Sequence, residues 1–216
     1  AAGAHHLYLV GPPGAGKSML AERLPGLLPD LDDEAAVQVT AIASIAGTLG
    51  QVEGLVRRPP FVAPHHGASM PAIIGGGTAL VNPGAITRAH HGVLFLDEAP
   101  EFRPEVMQAL RQPIEAGHVV VARAIGNVRF PCEFQLVLAA NPCPCGMSSG
   151  RGATCTCSPM AIRRYGSRLS GPILDRVDIQ VHVPAPSRSA LLATPGESTA
   201  VVAARVLAAR GAMAER

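Results

Sequence analysis

Lysine is almost missing from this chain. Lys17 is the sole lysine in 216 residues, and every other basic side chain is arginine. Aromatics are nearly as scarce, with no tryptophan, two tyrosines and five phenylalanines, so the core that 48% hydrophobic residues allow must be mainly aliphatic. No apolar run approaches the roughly 18 residues of a membrane span, and no signal-peptide pattern opens the chain. The net charge of +2 is too small for a global polyanion-binding field, so any nucleic-acid contact must be local. An initiator methionine is missing too. The chain starts directly before an apolar run and stops inside an alanine-rich helical pattern, as expected for a piece of a longer protein. Its length suits one large domain, or one domain with a fragment of another. Five cysteines, four of them clustered, with no export signal, point to a reducing cytoplasm and a metal site rather than disulfides.

The lone lysine lies in Gly11-Pro12-Pro13-Gly14-Ala15-Gly16-Lys17-Ser18, a match to the phosphate-loop pattern G-x-x-x-x-G-K-[ST]. An apolar, strand-like run (Leu7 to Val10) precedes it and a helix-like run (Met19 to Leu28) follows, which is the context the motif requires. Arginine-biased codon usage explains the lysine scarcity in general. The exception nevertheless falls where a compact, rotatable ammonium must reach terminal phosphates. The motif predicts nucleoside triphosphate binding. Backbone N–H groups and the helix dipole hold the β-phosphate, Lys17 bridges the β- and γ-phosphates, and Ser18 ligates Mg²⁺.

Further along, Asp32 and Asp33 offer helix-start chemistry for a helix from about Glu34 to Ala46. Residues 47–92 are rich in Gly and Pro and read as a long excursion out of the core; long ordered loops are more often functional than accidental. Val93-Leu94-Phe95-Leu96 is a continuous apolar run ending in Asp97-Glu98, the pattern of a buried parallel strand that delivers two carboxylates at its carboxyl end. A helix from about Arg103 to Ala116 is expected next, with Val106, Leu110 and Ile114 on one face. Residues 118–130 alternate around Ile125-Gly126-Asn127, as a β-hairpin does. Gln135 to Ala140 is another apolar strand and ends at Asn141; a cysteine loop over 142–158, a helix over Ala161 to Leu169 and a last strand over Ile179 to Val183 follow. Pro184, Pro186 and Pro195 mark a linker, and a new helix begins near Glu197. This order of elements implies an α/β core with a parallel sheet.

With an upstream phosphate loop, Asp97 is the carboxylate for the Mg²⁺ shell and Glu98 the residue that polarises an attacking water. Asn141 reads two ways, as an amide holding that water between central strands or as a helix cap or turn residue before Pro142. Between Arg151 and Arg176 stand five arginines against one acid, Asp175, a set containing either an arginine finger or only a solvated basic face. Cys143 and Cys145, then Cys155 and Cys157, make two pairs of thiolates suited to tetrahedral Zn²⁺, although a one-residue gap is tighter than usual. Reduced thiols or a redox pair are the alternatives. Cys132 lies apart and reads as a small packed residue. The His pairs at 5/6, 65/66 and 90/91 lack metal-ligand spacing, and His65 and His66 read as structural.

Taken together, GPPGAGKS, RPPFVAPHHGAS…GGG, AHHGVLFLDEAPEF, LRQPIEAG, LVLAANPCPCG and IRRYGSRLSGPILDRVDI resemble the Mg-chelatase-like AAA+ ATPases, specifically the ComM/YifB group. The resemblance covers nearly the whole chain. It implies a P-loop NTPase of AAA+ type, a parallel sheet flanked by helices. Residues 1–186 form the ATPase core, 47–92 a helix-2 insert, 118–131 a pre-sensor-1 β-hairpin, and 187–216 a linker and the start of a truncated helical lid. It makes Asn141 the sensor-1 residue and Arg176 the arginine finger acting on a neighbouring subunit's ATP. The insert and hairpin then resemble the elements that line the pore of related ring motors. Ala99 stands where the group often has Leu, and His91 where Asn is usual. Full-length members also carry an N-terminal Lon-protease-like S5 domain and a complete lid with a second sensor arginine.

Three functions follow from these residues. The first is a hexameric, Mg²⁺-dependent ATP-hydrolysing ring that moves or remodels DNA by branch migration or translocation. Its local support is Arg123 and Arg129 on the hairpin and the arginines after the cysteine loop, contacts that would make binding salt-dependent. The second is the motor subunit of a metal chelatase acting on a protein partner; the third is a non-motor ATP-binding switch. The phosphate loop, Asp97, Glu98 and Arg176 suit all three. The CPCG…CTC loop and the PHH segment match the ComM/YifB group better than true chelatase subunits. The cytoplasm, and no membrane, is the expected setting.

Overall fold

Two apolar runs, Val93–Leu96 and Gln135–Ala140, lie side by side in the central sheet, and every residue of both is buried. The computed structural model describes residues 1–50, 54–76, 81–123, 126–148, 154–169, 171–192 and 196–215. In chain order its elements are β1 (Leu7–Val10), α1 (Lys17–Arg23), α2 (Asp33–Ile45), β2 (Phe61–Val62), α3 (Met70–Ile74), β3 (Gly75–Gly76), β4 (Asn82–Pro83) and α4 (Ala85–Arg88). There follow β5 (Val93–Leu96), α5 (Pro104–Ala109), α6 (Arg111–Ala116), β6 (His118–Arg123), β7 (Gly126–Pro131) and β8 (Gln135–Ala140). The last are α7 (Pro159–Gly166), α8 (Gly171–Leu174), β9 (Ile179–His182), α9 (Arg188–Leu191) and α10 (Thr199–Ala214).

The main sheet runs β2-β5-β8-β1-β9 with every pairing parallel. Parallel strands buried on both faces need apolar side chains at consecutive positions. Leu94, Leu96, Leu136 and Leu138 accordingly point to one face, with Val106, Met107, Leu110, Ile173 and the hairpin residues Val119, Val121 and Phe130. Val93, Phe95, Val137 and Ala139 point to the other, with Leu9, with Ala21 of α1 and with Leu24 just after that helix. The core is aliphatic, as the shortage of aromatics requires.

Several expected elements form with their expected chemistry. Asp32 caps α2 by accepting the Ala35 N–H at 2.8 Å, and α1 gives way at Pro25 to a 3₁₀ turn over Pro25–Leu27. The hairpin pairs His118 with Pro131 and Arg123 with Gly126; its expected turn residue Ile125 lies outside the described residues. Two expectations need correction. The 47–92 stretch does not simply leave the core. Phe61–Val62 adds an edge strand to β5, and Ile73, Ala85 and Ile86 are fully buried in the larger apolar cluster. The single helix over 103–116 is two short ones, α5 and α6, meeting at Leu110. Pro113 has no N–H to give the carbonyl four residues back, and its ring crowds that carbonyl, so the helix breaks there.

Among the buried polar groups His90, 2% exposed, is a titratable one. Its Nδ1 accepts the Glu133 N–H at 3.1 Å, so Nε2 carries the proton and donates to Gln38 Oε1 at 2.8 Å. His91 reaches the same Gln38 oxygen at 2.9 Å. His91 has φ +57, in the left-handed region where Asn, Asp and His are the commonest non-glycine residues. Burial first, and then the neighbouring His91, push the His90 pKa down to about 4. The unfolded chain titrates near 6.5 and so binds the extra proton between those two values. The contribution is full above pH 6.5 and is lost as pH falls toward 4. We expect the chain to be about 2 kcal/mol less stable at pH 5 than at pH 7 on account of this ring. Denaturant midpoints across that window check it, and His90→Gln should flatten the slope.

Among the described residues no helix is long and apolar enough to cross a membrane. The C-terminal α10 lies back against the 3₁₀ turn, and Arg210 donates to the Ala1 carbonyl at 2.8 and 3.1 Å.

Candidate functional site: the carboxyl edge of three adjacent strands

Strands β5, β8 and β1 are neighbours, and each ends in a polar residue or loop at the same edge. Asp97 and Glu98 follow β5, Asn141 follows β8, and Gly11 to Ser18 follow β1. The chain leaves β1 for the far edge of the sheet, so this edge is the topological switch point where open α/β sheets bind ligands. A cavity of about 400 Å³ opens there, lined by residues Pro13 to Met19 with Asp97, Glu98, Ala140 and Asn141.

The loop leaves β1 with the Gly11 N–H on the Ala140 carbonyl at 3.2 Å. Gly14 and Gly16 have φ of +75 and +87, a region most side chains avoid, and these turns bring the chain round to the N-terminus of α1. Lys17 opens that helix and is 9% exposed. Its Nζ donates to the carbonyls of Gly11 (2.7 Å) and Pro12 (3.0 Å) and to Asn141 Oδ1 (3.1 Å). Burial pulls the ammonium pKa down, and the Asp97 and Glu98 carboxylates oppose that pull.

Next to it, the Ser18 hydroxyl donates to Asp97 Oδ2 at 2.7 Å, and Asp97 Oδ1 accepts the Glu98 N–H at 2.9 Å. A hydroxyl and a carboxylate oxygen this close form the hard-oxygen pair that Mg²⁺ prefers. Glu98 has φ +50 and ψ +43, an uncommon conformation for a non-glycine residue and one that gathers at functional sites. Its Oε2 lies 3.0 Å from His66 Nδ1. Sequence spacing gave no sign of this contact, because His66 reaches Glu98 only once β2 pairs with β5 and carries the PHH segment to the same sheet edge.

Asn141 sits between the carboxylates and the loop. No described helix starts at it, and its side-chain oxygen faces Lys17. Arg176 is elsewhere. It follows α8, pairs with Glu115 of α6, donates to the Pro172 carbonyl, and is not among the residues lining the phosphate-loop cavity. The four clustered cysteines do converge: the Sγ atoms of Cys143, Cys145, Cys155 and Cys157 all lie within 4.8 Å of one another. Cys132 is buried apart from them, where burial pushes its thiol up to about 12. Arg163 and Arg164 are exposed on α7, Arg168 pairs with Glu101 at 2.7 Å, and Arg129 is exposed on β7. Arg151 and the Arg123 side chain lie outside the described residues.

The family model for magnesium chelatase, subunit ChlI, matches residues 1–191. An uncharacterized protein of Mycobacterium tuberculosis is 52% identical over 216 residues, covering 100% of this chain and 42% of that protein. The uncharacterized protein YifB of Escherichia coli is 49% identical over 97% of this chain and 41% of its own length. The competence protein ComM of Haemophilus influenzae is 47% identical over 100% of this chain and 42% of its own. The chain thus spans about two fifths of the length of these curated relatives. The 38 kDa magnesium-chelatase subunit of Rhodobacter capsulatus is more distant, at 27% identity over 63% of this chain and 43% of its own. In backbone shape the chain is similar to the crystal structure of NtrX from Brucella abortus, with a TM-score of 0.50 over 88% of this chain and 35% of that one, at 16% identity. With the family model matched over residues 1–191, the chain belongs to the magnesium chelatase, subunit ChlI family, and is similar at near-half identity to YifB and ComM.

Proposed function

We propose that this chain is the ATP-hydrolysing core of a Mg²⁺-dependent, ring-forming AAA+ motor whose client is DNA. The observation that carries the ATPase reading is the joining of three strand ends by two hydrogen bonds, Ser18 to Asp97 and Lys17 to Asn141. Lys17 and the loop N–H groups hold the terminal phosphates of the substrate. Ser18 and Asp97 are the residues that would hold Mg²⁺, which when bound would offset the negative charge of the phosphates. Glu98 orients the attacking water and takes its proton, and Asn141 fixes the γ-phosphate and that water from the side of β8. The 118–131 hairpin and the part of 47–92 not packed into the sheet and its core would face the ring's pore, and 187–216 begin the lid.

The DNA reading rests on the near-half identity to a protein named for competence and on exposed arginines, Arg129 on the hairpin and Arg163 and Arg164 on α7. A chelatase-type motor acting on a protein is the second reading, favoured by the more distant 38 kDa subunit. The experiment is ATP hydrolysis by the full-length protein with and without single-stranded and branched DNA. We expect stimulation that fades as salt rises, since phosphate contacts release counterions. No stimulation by any DNA would transfer the proposal to a protein client.

A further inference from the structure

The geometry points to a structural Zn²⁺ held by the thiolates of Cys143, Cys145, Cys155 and Cys157, which pins the turn that braces the phosphate loop. The metal assignment stands by itself, and the bracing rests on the nucleotide-site reading above.

Three sulfur separations are 3.4 Å (Cys143 to Cys145), 3.7 Å (Cys143 to Cys155) and 3.6 Å (Cys145 to Cys155). Zinc–thiolate bonds of about 2.3 Å in a tetrahedron set sulfur–sulfur edges of about 3.8 Å. A disulfide requires about 2.0 Å. These three sulfurs are spaced as ligands of one ion, Cys157 Sγ lies within 4.8 Å of each of them, and all four cysteines are free thiols. The chemistry of the donor set selects a thiophilic metal. Four thiolates with no carboxylate among them suit Zn²⁺ and not Mg²⁺ or Ca²⁺. With all four positions taken by protein, the site is of the closed, structural kind.

What the ion would hold in place is set by Gly146. Its N–H donates to the Cys143 carbonyl at 2.9 Å, closing a turn around Cys145, with φ +78 at the glycine. A Cβ at this position would lie 2.5 Å from Pro13 Cδ and 3.8 Å from Asn141 Cγ. The turn therefore rests directly on the phosphate loop. Only one residue separates Cys143 from Asn141, whose Oδ1 meets Lys17. Two of the four ligands are thus built into the strand end and turn that shape the nucleotide pocket, while the other two come from the chain that leads into α7. Fixing all four sulfurs on one ion keeps the turn seated on Pro13 and Asn141 aimed at Lys17.

The test begins with the purified chain loaded with Zn²⁺ or with Co²⁺. We expect about one metal per chain, with the Co²⁺ form showing the absorption of a tetrahedral tetrathiolate. Removal by chelator, with Mg²⁺ then restored, should weaken binding of a fluorescent ADP analogue by roughly 10–100-fold. It should also speed amide exchange over residues 14–18 while strand β5 stays protected. Gly146→Ala keeps all four thiolates but drives a methyl into Pro13, so it should still bind metal and show the same loosened loop. A chain that takes up neither metal overturns the site. A metal-free chain with unchanged loop exchange, or a Gly146→Ala chain with native exchange and affinity, overturns the brace. If loop exchange responds to metal but the loaded chain binds no nucleotide, this inference stands and the ATPase reading fails.

Discussion

Glu98→Gln should leave ATP binding close to that of the native protein while slowing hydrolysis by roughly 10²–10⁴-fold, the usual contribution of a positioned general base. The substitution keeps the shape and one oxygen of the side chain and removes the basicity a water must be given. The phosphate grip does not involve Glu98. Lys17 hydrogen-bonds the loop carbonyls and Asn141, and Ser18 bonds Asp97. Equilibrium binding of a fluorescent nucleotide and steady-state phosphate release separate the two effects. Normal turnover would remove Glu98 from its role. The contact with His66 makes the result more informative. Because Oε2 is engaged by an imidazole 3.0 Å away, the glutamine amide has a partner at the same place, and the backbone at φ +50 need not change. A loss of activity would therefore report the missing carboxylate rather than a rearranged loop.

Much of this site could be read before any coordinates, because each part carries a local signal. The phosphate loop is fixed by spacing, and β5 and β8 by continuous apolar runs that only a doubly covered parallel strand explains. The start of α2 was equally legible, since Asp32 supplies the oxygen that the first turn needs. What was hidden depends on pairs far apart in the chain. Phe61–Val62 is two residues long and follows Pro59-Pro60, too short for any alternation to show, yet it carries His66 to Glu98. The break at Leu110 was masked by the apolar spacing of Val106, Leu110 and Ile114, whose own bonds persist (Leu110 N–H to Val106 at 3.3 Å, Ile114 N–H to Leu110 at 3.1 Å) although Pro113 cannot donate the next one. Likewise, two Cys-x-Cys pairs suggested a metal, but nothing in the spacing said that Gly146 would stand on Pro13. Fold and chemistry were local here, whereas the coupling between them was tertiary.

Arg176→Ala should spare nucleotide binding and lower assembly-dependent hydrolysis by roughly 10³–10⁵-fold, the range an arginine finger supplies. The residue lies off its own phosphate-loop cavity, so a catalytic contact has to be made with a neighbouring subunit. A purely structural role is the competing account, since Arg176 joins α6 to α8 through Glu115 and the Pro172 carbonyl. The Arg176 side chain is 29% exposed and Glu115 53%, however, and a pair this open on one side contributes about 0–1 kcal/mol. Thermal unfolding of the variant should therefore stay close to native. Mixed assemblies decide between the two accounts. A Lys17→Ala subunit cannot hold the phosphates but still presents Arg176, and an Arg176→Ala subunit binds nucleotide but lacks the guanidinium. Each alone should be inactive, and mixing them should restore hydrolysis if the arginine works across the interface. A mixture as inactive as its parts would mean that Arg176 serves its own subunit, and a fully active Arg176→Ala protein would place the finger on another arginine.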